Sequence, residues 1–217
     1  MYLKKYNLTI KMFALIKKIK KIILSYNKFL ISKIKIYSLR KYKENIFIEL
    51  GSGDRKGNNN WLTIDITKKC DIFWDLRNGI PFPNNSVNKI YSSHFFEHLT
   101  YQEGQKMLDE CLRVLKPEGI FSICVPNARL YVDAYLSSEF DTNKLIGHKP
   151  AFNNTSRIDY LNYTAYMDGE HKYMFDEENL IFILKSKGMK NVSIREFDPN
   201  LDLEVRDFES IYATAIK

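Results

Sequence analysis

Residues 46–57 read IFIELGSGDRKG, an apolar run that breaks into a glycine turn and then into polar sequence. Ile46 to Leu50 has the length and branching of a buried strand, and Gly51 and Gly53 bracket a turn where the backbone must approach a neighbour closely or adopt a left-handed conformation. Outward from this stretch, short apolar runs alternate with helical patterns, the signature of crossover units and a mainly parallel sheet. Trp61 to Asp65 and Ile72 to Trp74 are the second and third expected strands, Val87 to Ser93 the fourth and Ile120 to Val125 the fifth. Val192 to Phe197 and Ser210 to Ile216 bring the expected count to seven.

Two helices carry start signals. Thr100 with Glu103 forms a capping box, and Met107, Leu108, Cys111, Leu112 and Leu115 mark one buried face before Pro117 and Gly119. Asp176 is the cap of the second, with Glu177 and Glu178 in its first turn and Phe175 placed to staple against Leu180. No helix start is legible in the DRKGNNN stretch, so the crossover after the first strand is expected to be short or without a helix.

In an open sheet of this kind, ligands bind beyond the carboxyl ends of the strands, where the strand order reverses. The residues found there are Gly51-Ser52-Gly53-Asp54 after strand one, Asp65 at the end of strand two, Asp75 after strand three, and His94, Glu97 and His98 after strand four. A nicotinamide fingerprint requires a third glycine where Lys56 stands, which argues against a dinucleotide.

At this point the sequence resembles a known family. IFIELGSGDRKG, LTIDI, WDLRNGIPFPNNSVNKIYSSHFFEHL and CLRVLKPEGIFSICVPN, in this order and spacing, are similar to the successive motifs of class I S-adenosylmethionine-dependent methyltransferases. The likeness is to small type-11-like bacterial members, some of which accompany surface-polysaccharide genes, and it spans about residues 46–217. It implies a Rossmann-like α/β fold with a seven-stranded, mostly parallel sheet and helices on both faces, and S-adenosylmethionine as the cofactor.

Such a cofactor needs close backbone approach, an acceptor for a ribose diol, a partner for an adenine amine and negative charge near a sulfonium. Gly51, Ser52 and Gly53 suit the first. Asp65, with two carboxylate oxygens, suits the ribose. Glu49 is placed to order the loop and contribute negative field. The resemblance puts Asp75 at the adenine and His94 beside the cofactor, and Ile66 and Leu76 complete the expected cofactor-binding set. The competing readings are a surface turn for Asp65, a hydrogen-bonded turn before Leu76 and Arg77 for Asp75, and a paired structural acid for Glu49.

HFFEH, residues 94–98, also matches the His-x-x-Glu-His spacing of inverted zinc proteases. That motif requires both histidines on one helical turn, whereas His94 here stands at a strand-to-loop junction before a helix that begins near Thr100. Zinc hydrolysis is therefore not expected. A weak divalent-ion site is left open, and no residue is assigned as a metal ligand. For methyl transfer to an alcohol a base near the acceptor is useful, and His94, His98 and His171 are the catalytic candidates, with His148 weaker. Residues 127–173 are rich in Tyr, Asn and Asp and fall where the family inserts its acceptor cover. Tyr131, Tyr135, Tyr160, Tyr163 and Tyr166 are candidates to stack on a sugar, or else members of the core.

The net charge of +7 is unevenly divided. Residues 1–45 hold thirteen Lys or Arg against one acid, Glu44, for +12, while residues 46–217 carry −5. The chain thus divides into a basic arm and a methyltransferase-like domain, and the acidic body argues against a nucleic-acid groove; no DNA partner is expected. Between Met12 and Tyr37 the spacing of Met12, Leu15, Ile19, Ile22, Tyr26, Phe29 and Ile34 predicts a basic amphipathic helix. It is open to three readings: a helix packed on the domain, peripheral contact with an anionic membrane, or an RNA-binding or disordered tail. The odd number of cysteines, Cys70, Cys111 and Cys124, each in an apolar stretch, suits a reducing compartment, and no signal peptide or membrane span is apparent. A cytoplasmic enzyme is expected, placed peripherally on the inner face of a membrane if the arm binds lipid. O-methylation of a small or carbohydrate-like hydroxyl is the expected activity. The alternatives are an RNA methyltransferase and a cofactor-binding scaffold without transferase activity. Oligomeric state is not legible.

Overall fold

The computed structural model describes residues 2–55, 57, 60–67, 69–137 and 156–217. Its chain runs α1 (Tyr2–Tyr42), β1 (Phe47–Leu50), β2 (Trp61–Asp65), β3 (Ile72–Phe73), β4 (Val87–Ser93), α2 (Tyr101–Val114), β5 (Leu115–Pro126), α3 (Ala128–Leu136), α4 (Ile158–Tyr166), α5 (Glu177–Ser186), β6 (Lys190–Ile194) and β7 (Ser210–Ile216). The strands form one seven-stranded sheet in the order β3-β2-β1-β4-β5-β7-β6. Pairing is parallel from β3 through to β5, and β7 lies antiparallel between β5 and β6. This is the Rossmann-like class I methyltransferase fold. The order reverses between β1 and β4, so the loops after these two strands meet at one crevice.

Buried Ile48, Leu50, Ile64, Ile90, Phe121 and Ile123 form the centre of the core. Strand residues buried on both faces read as continuous apolar runs, which is why these strands were legible. The caps of α2 and α5 follow from their side chains. Thr100 Oγ1 accepts the Glu103 N–H while the Glu103 carboxylate accepts the Thr100 N–H at 2.8 Å. Asp176 accepts the Asn179 N–H at 2.8 Å, with Phe175 and Leu180 both buried beside it.

Several boundaries differ from expectation. Helix α2 ends at Val114, and Leu115 already has extended backbone and pairs with Val87. Pro117 and Gly119 therefore lie inside β5 and do not stop the helix. The sixth strand starts two residues before Val192 and ends at Ile194, because the chain is then drawn away: the Asp198 N–H and the Arg195 guanidinium both bond the buried Asp202 carboxylate. Among the described residues no helix separates β1 from β2, as the polar sequence there implied. Cys111 and Cys124 are buried, but Cys70 is only half-buried.

The arm is one helix of 41 residues, longer than the pattern from Met12 to Tyr37. Its last turns dock on the domain. Ser32 Oγ accepts the Phe73 N–H at 2.8 Å, Lys35 pairs with Asp71 at 3.1 Å, Phe29 stacks on Trp74 at 5.1 Å, and Ile36 joins the core. Asp71 also accepts the N–H groups of Gly57 and Thr63 at 2.8 and 3.2 Å, so one carboxylate ties α1 to the first two crossovers. The contacts of Phe29, Ser32, Ile36 and Leu39 define one side of the helix. A different stripe, Met12, Leu15, Ile16, Ile19, Ile22, Ile23, Tyr26 and Leu30, is exposed. No helix among the described residues is long and apolar enough to cross a membrane.

Candidate functional site

The carboxyl ends of β2, β3 and β4 open on a cleft of about 680 Å³ whose walls include Asp65, Ile66, Trp74, Asp75, Phe95 and His98. Gly51 and Gly53 have φ of +67° and +61°, the left-handed region in which a side chain is strained. A Cβ on Gly51 would also meet the Phe95 ring at 2.3 Å, whereas at Gly53 the space is open. Ser52, between them, is buried and its Oγ has no partner. Asp65 holds the loop in place, its two oxygens accepting the N–H groups of Gly53 and Thr67 at 2.9 and 3.1 Å.

Glu49 is buried in β1 and paired with Arg55, so the competing reading of a paired acid describes its contacts. Burial raises its carboxyl pKa, with Arg55 opposing. Asp75 caps the single turn Leu76–Asn78 by accepting the Arg77 N–H at 3.0 Å, and the Arg77 guanidinium grips the same carboxylate at 2.6 Å. That pairing holds Asp75 below the usual carboxylate range. Ile66 is exposed and Leu76 buried.

His94 follows β4 with φ +49°. Its Nε2 lies 2.8 Å from Ser210 Oγ, and Ser210 in turn donates to the Arg206 carbonyl at 2.7 Å. The imidazole must therefore donate from Nε2, leaving Nδ1 bare and 3.5 Å from Glu97 Oε1. Burial first, then the nearby Arg206 and the other histidines, pushes His94 down to about 3. It is neutral at ordinary pH and a weak proton acceptor.

The turn Phe96–His98 and the loop before α5 are brought together by the Glu97 carbonyl, which accepts the N–H groups of Lys172 and Tyr173 at 2.8 and 3.2 Å. This places His171 against His98, ring centroids 5.1 Å apart. His98 Nδ1 is 2.9 Å from the Glu170 carbonyl and His171 Nδ1 is 2.8 Å from that of Thr164. Glu97 is 2% exposed with neither oxygen bonded, and burial pushes its carboxyl up to about 8.

The three histidine candidates thus meet around Glu97, a residue quoted in the motif but left out of the expected site. Phe95 over Gly51, Arg55 on Glu49 and Arg77 on Asp75 were also missed. For the two arginines the signal was opposite charge across a turn; for Phe95 there was none. His148 lies outside the described residues. Tyr131 and Tyr160 are fully buried between α3 and α4 and cannot stack on a ligand; Tyr163 packs beside them, while Tyr135 and Tyr166 are exposed.

Residues 62–123 match the family model described as a methyltransferase domain. No curated protein matches the chain. Among solved structures, the chain is similar to a SAM-dependent methyltransferase from Archaeoglobus fulgidus, with 16% identity over 86% of this chain and 94% of that one and a TM-score of 0.49. It is likewise similar to one from Mesorhizobium loti (15% identity, 80% and 91% covered, TM-score 0.49) and one from Aquifex aeolicus (15%, 83% and 87%, TM-score 0.46).

Proposed function

We propose that this type-11-like, S-adenosylmethionine-dependent methyltransferase methylates the oxygen of a small or carbohydrate-like hydroxyl. The carrying observation is the set of bare imidazole nitrogens around a buried carboxylate beside the cleft. A neutral amine needs no help to attack a methyl group, whereas a hydroxyl must lose its proton; the free Nε2 of His98 and of His171 is suited to accept it, while His94 is too weak an acceptor.

S-adenosylmethionine, when bound, would supply an electrophilic methyl group with its sulfur as the leaving group. The residues present fit this cofactor. Gly51 and Gly53 let the backbone pass close by, and the orphaned Ser52 hydroxyl is a donor awaiting a partner. Each Asp65 oxygen spends one lone pair on the loop and keeps another for a ribose hydroxyl. Asp75 and the Leu76 N–H would serve the adenine, as the family resemblance implies. The Phe95 ring, packed against Gly51, would help to keep water from the transferred methyl group.

A carbohydrate-like acceptor is favoured over nucleic acid by the −5 charge of residues 46–217, and by exposed Tyr135 and Tyr166. Incubating the protein with methyl-labelled cofactor and fractionated cell extract tests the proposal. Label in glycans, nucleotide-sugars or small alcohols is expected, and label confined to RNA, or cofactor binding without turnover, would overturn it.

A further inference from the structure

We propose that Glu97, His98 and His171 form a binding site for one divalent transition-metal ion, whose open positions face the cleft. One ligand atom from each of the three lies within 4.8 Å of the others, close enough to share a single ion. The two imidazoles are preset for the task. A backbone carbonyl can only accept, so Glu170 and Thr164 fix the proton on Nδ1 of His98 and His171 and leave both Nε2 lone pairs free. Histidines that ligate metals are commonly oriented by such a carbonyl on the far nitrogen.

The third ligand supplies an independent observation. Both Glu97 oxygens are buried without a hydrogen-bond partner, although a buried polar group left unpaired costs stability and natural folds seldom tolerate one. The nearest histidine nitrogens, 3.5 Å away on His94 and 3.9 Å on His98, are too distant for good hydrogen bonds. A cation between the carboxylate and the two bare nitrogens satisfies all three groups together. The chain also spends backbone bonds on bringing them together, since Lys172 and Tyr173 both donate to the Glu97 carbonyl and the His171 N–H donates to Tyr166.

Two imidazoles and one carboxylate suit Mn2+, Fe2+, Co2+ or Zn2+, and three protein ligands leave positions for water or substrate. His98 is half-exposed and lines the cleft. An ion there would hold the acceptor hydroxyl and favour its ionised form, making a protein base at His98 or His171 unnecessary. This last role rests on the hydroxyl reading above; the ion site itself does not.

The test is a Co2+ titration of the full chain after chelation and dialysis, followed by visible absorbance and metal analysis. Saturation at one Co2+ per chain is expected, with affinity at least about tenfold weaker in Glu97→Gln and in His98→Ala. The first variant preserves shape and the second alters a half-exposed side chain, so circular dichroism should show both folded. Calorimetry with S-adenosylhomocysteine on the metal-free wild type separates the two claims, since the cofactor product should bind it whether or not Co2+ does. No stoichiometric Co2+ uptake at millimolar concentration, or equal uptake by wild type and both variants, would overturn the ion site. Failure of the cofactor product to bind wild type would overturn the methyltransferase reading and leave the ion site standing.

Discussion

At the ends of β1, β2 and β3 the carboxylates are already bonded by the chain: Glu49 to Arg55, Asp65 to two loop N–H groups, Asp75 to Arg77. After β4, Glu97 is buried with both oxygens unbonded. The first group shapes a loop and offers its remaining lone pairs, so it is formed before any ligand arrives. The second lowers the stability of the empty fold, and such a cost is retained where a ligand recovers it.

The largest expected effect comes from that contrast. Folded, the Glu97 carboxyl keeps its proton up to about 8, whereas an ordinary glutamate ionises near 4.5. The folded state binds more protons between these values, so stability falls as pH rises through the window. With chelator present, wild type is expected to lose on the order of 4 kcal/mol relative to Glu97→Gln across it, measured by urea unfolding at several pH values. Parallel profiles would place a partner on Glu97 and weaken the contrast.

Gly51→Ala probes the preformed half. Positive φ and the Phe95 ring act together, and a loss of roughly 2–4 kcal/mol is expected in urea unfolding. The same change at Gly53 meets only the backbone term and should cost about 1–2 kcal/mol. Equal losses at the two positions would mean that Phe95 yields to the new methyl group.

The smallest stability effect is expected at the start of the arm. We propose that the exposed stripe from Met12 to Leu30, flanked by Lys17, Lys18, Lys20 and Lys21, contacts an anionic membrane surface. Vesicles containing anionic lipid should retain the full chain at low salt and release it as salt rises. A chain beginning at Lys28 should stay free and keep its melting temperature, because Phe29, Ser32, Lys35 and Ile36 remain docked. Unfolding of that truncation would show that the earlier turns also support the domain.

The parts of the fold legible in sequence are those decided by near neighbours. The spans of β2, β4 and β7, the Thr100–Glu103 box and the Asp176 cap each follow from residues within a few positions. The parts not legible depend on distant pairing. Ser32 on Phe73 docks the arm across 41 residues. Tyr131 and Tyr160 cover one another only once α3 meets α4. The site shows the same division, since Gly51 and Asp65 stand out in the local pattern at the strand ends, whereas the adenine role of Asp75 is what the family resemblance implies. His171 is brought to His98 by the two bonds to the Glu97 carbonyl, and Glu97 drew no assignment because His94, at a strand-to-loop junction, argued against the protease motif.

The central claim is that the ends of β1 and β2 hold S-adenosylmethionine, and calorimetric titration of wild type and Asp65→Ala with S-adenosylhomocysteine tests it most directly. One site per chain is predicted, weakened at least about tenfold by the substitution through loss of hydrogen bonds to a charged acceptor. Absence of binding to wild type at millimolar concentration, or unchanged affinity in folded Asp65→Ala, would contradict the account.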